Sequence, residues 1–187
     1  MNTGTEDRSL MDYSISEEQS RAIFEEHAPY VYGIALMITK SAMLADDITQ
    51  ETFLRAFNKY HLYNPDKPLR PWLYRITINL VRSTLRKQRW LTFFGQVPVE
   101  ASGGSVESIV LKNESERELW QLVNRLSPKR REVLILVYYA GLPLHEAAAL
   151  LDIRLGTCKS RLHAALQQLR QSDAEDYHLT SIKEALK

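Results

Sequence analysis

Between Leu142 and Arg170 two helical patterns meet at a tight break around Asp152, and this pairing limits the fold more than any other stretch. A short supporting helix, with Pro143 in its first turn, precedes a second helix in which Cys158, Leu162, Ala165, Leu166 and Leu169 recur at helical spacing. That apolar edge leaves Thr157, Lys159, Ser160, Arg161, His163 and Ala164 outward, and the helix N-terminus near Gly156 suits a phosphate. Aspartate tolerates the left-handed backbone such a turn needs. The stretch, about residues 144–163, is expected to be a helix-turn-helix whose outer face reaches into the DNA major groove.

Elsewhere apolar residues recur at helical period and glycine and proline are scarce, so the fold class expected is all-α. Ser16 and Gln19 form a capping-box pattern that starts a helix with Ile23 and Phe24 inward. Pro29 is expected to restart or bend it before the stripe of Tyr30, Ile34, Met37 and Ile38. A helix over about Ala42 to Tyr60 places Leu44, Ile48, Phe53 and Phe57 inside. Pro65 and Pro68 then break helicity, and another helix follows from about Arg70 to Trp90. Residues 91–112 contain Gly95, Pro98, Gly103 and Gly104 with little periodicity. The expected organisation is a loose 1–15, a first helical domain at 16–90, a flexible linker at 91–112, a second at 113–170, and a tail at 171–187. In the second domain, Ser127 and Pro128 open a helix that should end near Gly141.

Charge is sorted by helix face. At about 100° per residue, Asn79, Arg82, Arg86 and Arg89 fall within about 40° of Arg75, while Leu73, Ile76 and Leu80 lie opposite. Lys67, Arg70 and Lys87 add to this cationic stripe, which suits a phosphate chain. Trp72, Tyr74 and Trp90 are neighbours that could stack unpaired bases, although Trp72 fits a core position better. The preceding helix carries an acidic and amide edge of Asp46, Asp47, Gln50 and Glu51, with Arg55 one turn beyond Glu51. DNA would be repelled there. Such an edge suits a protein partner, or it is a solvated face held by an i,i+4 pair between Glu51 and Arg55.

The whole chain is nearly neutral, with 24 Lys+Arg against 23 Asp+Glu, so any nucleic-acid footprint must come from this local clustering. One cysteine, Cys158, excludes an internal disulfide framework and a paired-cysteine zinc site. The start through Met11 lacks the apolar core of a signal peptide, and no apolar run nears the roughly 20 residues of a membrane span. A cytoplasmic setting is expected. There is no phosphate-cradling glycine loop, no HExxH and no defensible Ser/His/Asp set. The expectation is a binder without cofactor, metal or small-molecule substrate, and not an enzyme.

Four runs in series resemble one family. Ala45 to Phe57 is similar to the polymerase-binding segment of the extracytoplasmic-function sigma factors of the sigma-70 family, and Pro71 to Leu80 to their minus-10-reading helix. Leu126 to Leu134 and Leu155 to His163 resemble their second domain. The resemblance implies two helical domains, sigma-2-like and sigma-4-like, that bind bacterial RNA polymerase core and direct it to promoters. Asp46, Asp47, Gln50, Glu51 and Arg55 would then face the clamp helices of the large polymerase subunit. The loop from His61 to Arg70, with Asn64, Lys67 and Arg70, would capture a flipped minus-10 base, and Arg75, Asn79, Arg82 and Arg86 would hold the melted strand. Arg154, Thr157, Lys159, Ser160, Arg161 and His163 would read the minus-35 element. An anti-sigma partner, often membrane-bound, is implied as well. Asp152 stands where the family commonly has glycine, and Ala164 and Leu166 fall in a stretch it usually makes basic.

Two other readings compete. A stand-alone helix-turn-helix regulator would bind duplex DNA tightly without polymerase, and an anti-sigma-like or scaffold helical protein would leave the arginine stripe without a role.

Overall fold

The computed structural model describes residues 15–93 and 114–173, and each regular element among them is helical. Helix α1 (Glu17–Thr39) starts as its sequence dictates. The Gln19 N–H donates to Ser16 Oγ at 3.1 Å, and the Ser16 N–H donates to Gln19 Oε1 at 3.3 Å, which satisfies two donors a helix start leaves orphaned. Phe24, expected inward, is instead exposed, although its ring sits edge-on to Phe53 at 4.8 Å. Of the two outcomes expected at Pro29, a restart is excluded, because α1 runs through it. Proline removes the N–H that the Glu25 carbonyl would otherwise accept from, and both Glu25 and Pro29 are exposed. Lys40, at φ 62°, closes α1 in the left-handed region with its N–H on the Leu36 carbonyl.

Helix α2 (Ala42–Asn58) begins on the Ser41 side chain and ends in a short 3-10 turn at Tyr60–Leu62, and α3 spans Leu69–Phe93. The expected end of α3 at Trp90 is therefore exceeded by three residues. The rest of the expected linker, residues 1–14 and the tail beyond Asp173 lie outside the described residues. Helices α1 to α3 form one bundle. Val31, Phe53, Ala56 and Leu73 pack in one part of it, and Thr52 and Thr77 pair their buried hydroxyls across α2 and α3 at 3.5 Å.

A second bundle follows with α4 (Glu114–Arg125), α5 (Pro128–Leu134), α6 (Leu144–Leu150) and α7 (Leu155–Asp173). Pro128 occupies the first turn of α5 as expected, but the Ser127 side chain makes no capping bond. The helix expected to reach Gly141 instead widens into a π turn at Ile135–Tyr139, where the Ala140 N–H reaches back to the Ile135 carbonyl at 2.9 Å. Such a turn inserts one residue and turns the following side chains to a new face. Gly141, at φ 68°, then reverses the chain into α6.

The two bundles are not separate bodies. A single apolar cluster joins Ile34, Met37 and Ile38 of α1 and Ile78 and Val81 of α3 to Val133, Leu136, Leu142, Ala147, Leu151 and Cys158 of the second bundle. Removing one such side chain would cost about 2–5 kcal/mol.

Candidate nucleic-acid interface

The outer face of α2 holds Asp46, Asp47 and Gln50, all exposed, between exposed Met43 and Leu54. This gives an acidic strip with an apolar residue near each end. The expected Glu51–Arg55 pair is present, Arg55 Nε to Glu51 Oε1 at 2.6 Å, so those two charges largely cancel. Among the described residues, Asp46 and Asp47 form no ion pair.

Along α3, Arg75, Asn79 and Arg86 are exposed on one side, while Leu73, Ile78 and Val81 are buried on the other. Tyr74 corrects the stacking expectation. Only 2% of it is exposed, so it packs in the core and offers no ring to a base. Before α3, the loop stands on an aromatic cluster of Tyr60, Tyr63 and Trp72, with Tyr63 and Trp72 centred 5.3 Å apart. Tyr63 Oη donates to the Lys67 carbonyl, and the Asp66 N–H donates to Asn64 Oδ1 at 2.9 Å. The backbone of the loop is thus fixed while the Asn64 and Lys67 side chains remain exposed. Arg70 lies over the Tyr30 ring at 4.9 Å and 3.8 Å from Glu26, at the start of the same stripe.

Arg82 differs from the rest of the stripe. Its Nη1 donates to the Leu151 carbonyl at 3.0 Å and its Nη2 to Glu132 Oε2 at 3.1 Å, so its guanidinium is held by the second bundle. Nearby, the buried Arg131 donates through Nη2 to the Ile38 carbonyl at 3.2 Å and through Nη1 to the Asn124 carbonyl at 3.4 Å. Lys40 Nζ also reaches the Asn124 carbonyl, at 2.6 Å. These carbonyls close α1 and α4, where a cation meets both orphaned acceptors and the negative helix end. Burial pushes Arg131 and Lys40 below their ordinary pKa values, with the mutual repulsion adding to the shift of Lys40. Tyr139 completes the contact. A Cβ placed on Gly33 would fall 2.0 Å from Tyr139 Oη, so only glycine leaves room for that ring. Burial, then the neighbouring Tyr74 and Tyr30, pushes the Tyr139 hydroxyl up to about 12.

The turn between α6 and α7 is built as its sequence implies, except that Pro143 sits just ahead of α6 as its cap residue. Asp152 takes φ 53°, with its N–H on the Ala149 carbonyl and the Ile153 N–H on the Ala148 carbonyl. This is a left-handed helix stop. Asp152→Val should therefore cost about 1–2 kcal/mol in thermal unfolding, and Asp152→Gly should cost none. Equal melting of the two variants would refute that account. On α7, Cys158, Ala165 and Leu169 are buried, whereas Arg154, Lys159, Ser160 and His163 are exposed, and Thr157 and Arg161 are half-buried. Burial raises the Cys158 thiol, which suits a core filler.

Sequence reasoning brought the α2, α3 and α7 faces to light but missed Gly33, Arg131, Glu132 and Tyr139. An isolated glycine within the apolar stripe of α1 was the available signal, since it marks close approach of another element.

Comparison with known proteins bears on these faces. Residues 23–91 match the model of sigma-70 region 2, and residues 116–169 match that of sigma-70, region 4. The ECF RNA polymerase sigma factor SigE of Mycolicibacterium smegmatis is 32% identical over 79% of this chain, which spans 59% of that relative's length. SigL of Mycobacterium tuberculosis, also an ECF RNA polymerase sigma factor, is 33% identical over 80% of this chain and 86% of its own. Among solved structures, the sigma factor RpoE in complex with the anti-sigma factor NepR, from Bartonella quintana, superposes with a TM-score of 0.68. That pair is 26% identical and covers 84% of this chain and 98% of the other.

Proposed function

The chain belongs to the ECF RNA polymerase sigma factors of the sigma-70 family, and from that premise we propose that it binds bacterial polymerase core and directs it to open promoter DNA. The observation that carries this reading is the division of labour among faces. One chain presents an exposed acidic strip on α2, a cationic stripe on α3 and a hydroxyl- and base-bearing face on α7. DNA is repelled by the first and attracted by the other two.

Asp46, Asp47 and Gln50, with the Glu51–Arg55 pair behind them, dock on the clamp helices of the large subunit. Asn64, Lys67 and Arg70 present the loop to a minus-10 base, and Arg75, Asn79, Arg82 and Arg86 hold the displaced strand. Arg154, Thr157, Lys159, Ser160, Arg161 and His163 read the minus-35 element. Strand opening proceeds by capture: unstacking costs a few kcal/mol per base, and stacking with charge contacts returns about 1–3 kcal/mol per base. No bond is made or broken by this chain, so the reading is a binding protein and not an enzyme. Residues 16–90 and 113–170 serve as the two DNA-facing domains, joined through 91–112. No described helix is long and apolar enough to cross a membrane, and the reading places the chain in the cytoplasm, with an anti-sigma partner able to hold it at a membrane.

Run-off transcription with purified polymerase core, with and without this chain, tests the proposal on cognate genomic templates. A specific transcript that depends on the chain is expected. Tight duplex binding by the chain alone, with no core-dependent transcript, would favour a stand-alone regulator. Reversing the charge at the strip should separate docking from DNA contact: Asp47→Arg is expected to lower core affinity at least about tenfold, from lost attraction plus new repulsion. Equal co-purification of that variant with core would refute the placement of α2.

A further inference from the structure

We propose that Trp90 and Phe93 form a base-stacking subsite at the far end of α3, where the chain takes unpaired nucleobases of single-stranded DNA. The proposal rests on the sigma reading for the strand it names, the displaced promoter strand. It adds to the cationic stripe a site that grips bases instead of phosphates.

Three observations carry it. First, the two rings share the face of the stripe. At about 100° per residue, Phe93 falls in line with Arg75, and Trp90 lies about 60° away. Phe93 joins that face because α3 runs three residues past Trp90, the end its sequence pattern predicts. Secondly, both rings are presented to solvent, Trp90 being 65% exposed and Phe93 85%. The other two tryptophans are committed elsewhere, Trp120 in the core and Trp72 against Tyr60 and Tyr63. Exposed apolar surface rimmed by polar groups marks a binding face. Thirdly, the rim is cationic. Arg86, Lys87 and Arg89 are exposed beside the rings, and the sequence places no carboxylate between Arg70 and Phe93. Such a mixture of π faces and positive charge fits a nucleic-acid strand, whose phosphates meet the cations while its bases lie on the rings.

The spacing is compatible with one strand. Trp90 and Phe93 are about 4.5 Å apart along the helix axis and Arg86 stands about 6 Å before Trp90, at about 1.5 Å per residue. Neighbouring bases can thus reach neighbouring rings while their phosphates stay near the arginines. A duplex keeps its bases stacked on one another and offers no face to these rings, so the subsite selects unpaired DNA. It tolerates any sequence, because every base has a π face. A protein surface is the other occupant two exposed rings would suit, and the variants below separate the two.

The test uses the full chain assembled with polymerase core and a fluorescein-labelled single-stranded oligonucleotide of the displaced promoter strand. Affinity is read by anisotropy across a potassium chloride series. Trp90→Leu and Phe93→Leu keep an apolar side chain of good helix propensity but remove the π face. Each is expected to weaken binding about fivefold, and the pair about 25-fold, the scale of one stacked base per ring. Trp90→Phe, which keeps a ring, should bind within about twofold of wild type. The slope of log affinity against log salt should not change in the leucine variants, because stacking releases no counterions, whereas loss of an arginine contact flattens it. A single abasic site placed at each position of the oligonucleotide in turn locates the stacked base. At that position alone the penalty of Trp90→Leu should vanish. Unchanged co-purification with core certifies that each variant folds and docks.

A penalty that persists at every abasic position would overturn the subsite, as would a wild-type chain that binds no single strand, alone or with core. Weaker core association by Trp90→Leu, with strand affinity of the assembled complex unchanged, would assign the rings to polymerase instead. If no form supports core-dependent run-off transcription, yet the chain alone binds the oligonucleotide with the same dependence on both rings, the sigma reading fails while the subsite stands. Core-dependent transcription with strand affinities that the leucine variants do not alter leaves the sigma reading standing and removes the subsite.

Discussion

Alanine at both Arg82 and Arg86 is expected to lower open-complex yield by about 30-fold at moderate salt, with core affinity unchanged. In the proposed strand-holding role each arginine supplies one charge-assisted contact to the displaced strand, taken as about 1 kcal/mol after solvent screening, and 2 kcal/mol corresponds to about 30-fold. The salt response carries a second signature. A single-stranded phosphate contact contributes a slope of about −0.7 in log affinity against log salt, so losing two should flatten it by about 1.4. Permanganate reactivity of unpaired thymines, followed across a potassium chloride series, reads both quantities. The single variants should differ from each other. Arg86 is exposed, and among the described residues no hydrogen bond or ion pair ties it to the second bundle, so Arg86→Ala only weakens strand capture. Arg82→Ala also removes the bonds to Glu132 and Leu151, so the free chain should open more readily even as promoter melting falls. A double variant with undiminished permanganate reactivity would remove α3 from strand capture altogether.

The same two arginines mark the boundary of what the sequence discloses. Local rules were enough wherever a feature is decided within one helical turn or one helix face. The Ser16–Gln19 box, the Glu51–Arg55 pair and the left-handed Asp152 are each set by neighbours within four residues, and each is present. The apolar and polar faces of α3 and α7 also follow from spacing, with the half-buried Arg82, Thr157 and Arg161 the blurred cases. Residues whose partners lie far along the chain were not legible. Arg82 meets a carboxylate 50 positions away, and Arg131 meets a carbonyl 93 positions away. On a helical wheel both are simply charges, and charges ordinarily face water. Tyr74 was misjudged for the converse reason: a hydroxyl-bearing ring near a basic stripe invites a surface reading, but the second bundle covers the side of the first on which it lies. The π turn is not legible either, since its signal is one residue of extra length in a hydrophobic run. Its consequence, the seating of Tyr139 on Gly33, is visible only once both bundles are present.

Arg131→Met should lower the stability of the docked chain by about 2–3 kcal/mol and split one thermal transition into two. Arg131 is 4% exposed, and among the described residues no carboxylate is hydrogen-bonded to its guanidinium. Its Nη atoms instead close the C-terminal ends of α1 and α4 through the Ile38 and Asn124 carbonyls. Replacing an entire buried ion pair with apolar residues can be neutral, because both charges leave together. That escape is closed here, since backbone carbonyls cannot be mutated away. Methionine retains most of the aliphatic stem but leaves the Ile38 carbonyl without its donor, at about 1–3 kcal/mol for a buried unsatisfied acceptor. The chain can recover part of that cost only by letting water reach the acceptor, which means separating the bundles. Loss of docking should accordingly precede loss of either bundle. For a chain of this size the melting temperature of the first transition should fall by roughly 5–10 °C. Arg131→Lys, which retains the charge but lacks the planar fork that spans both carbonyls, should fall between the two. Calorimetry of the full chain distinguishes the outcomes, and a single transition at the wild-type temperature for Arg131→Met would mean that the apolar cluster alone holds the bundles together.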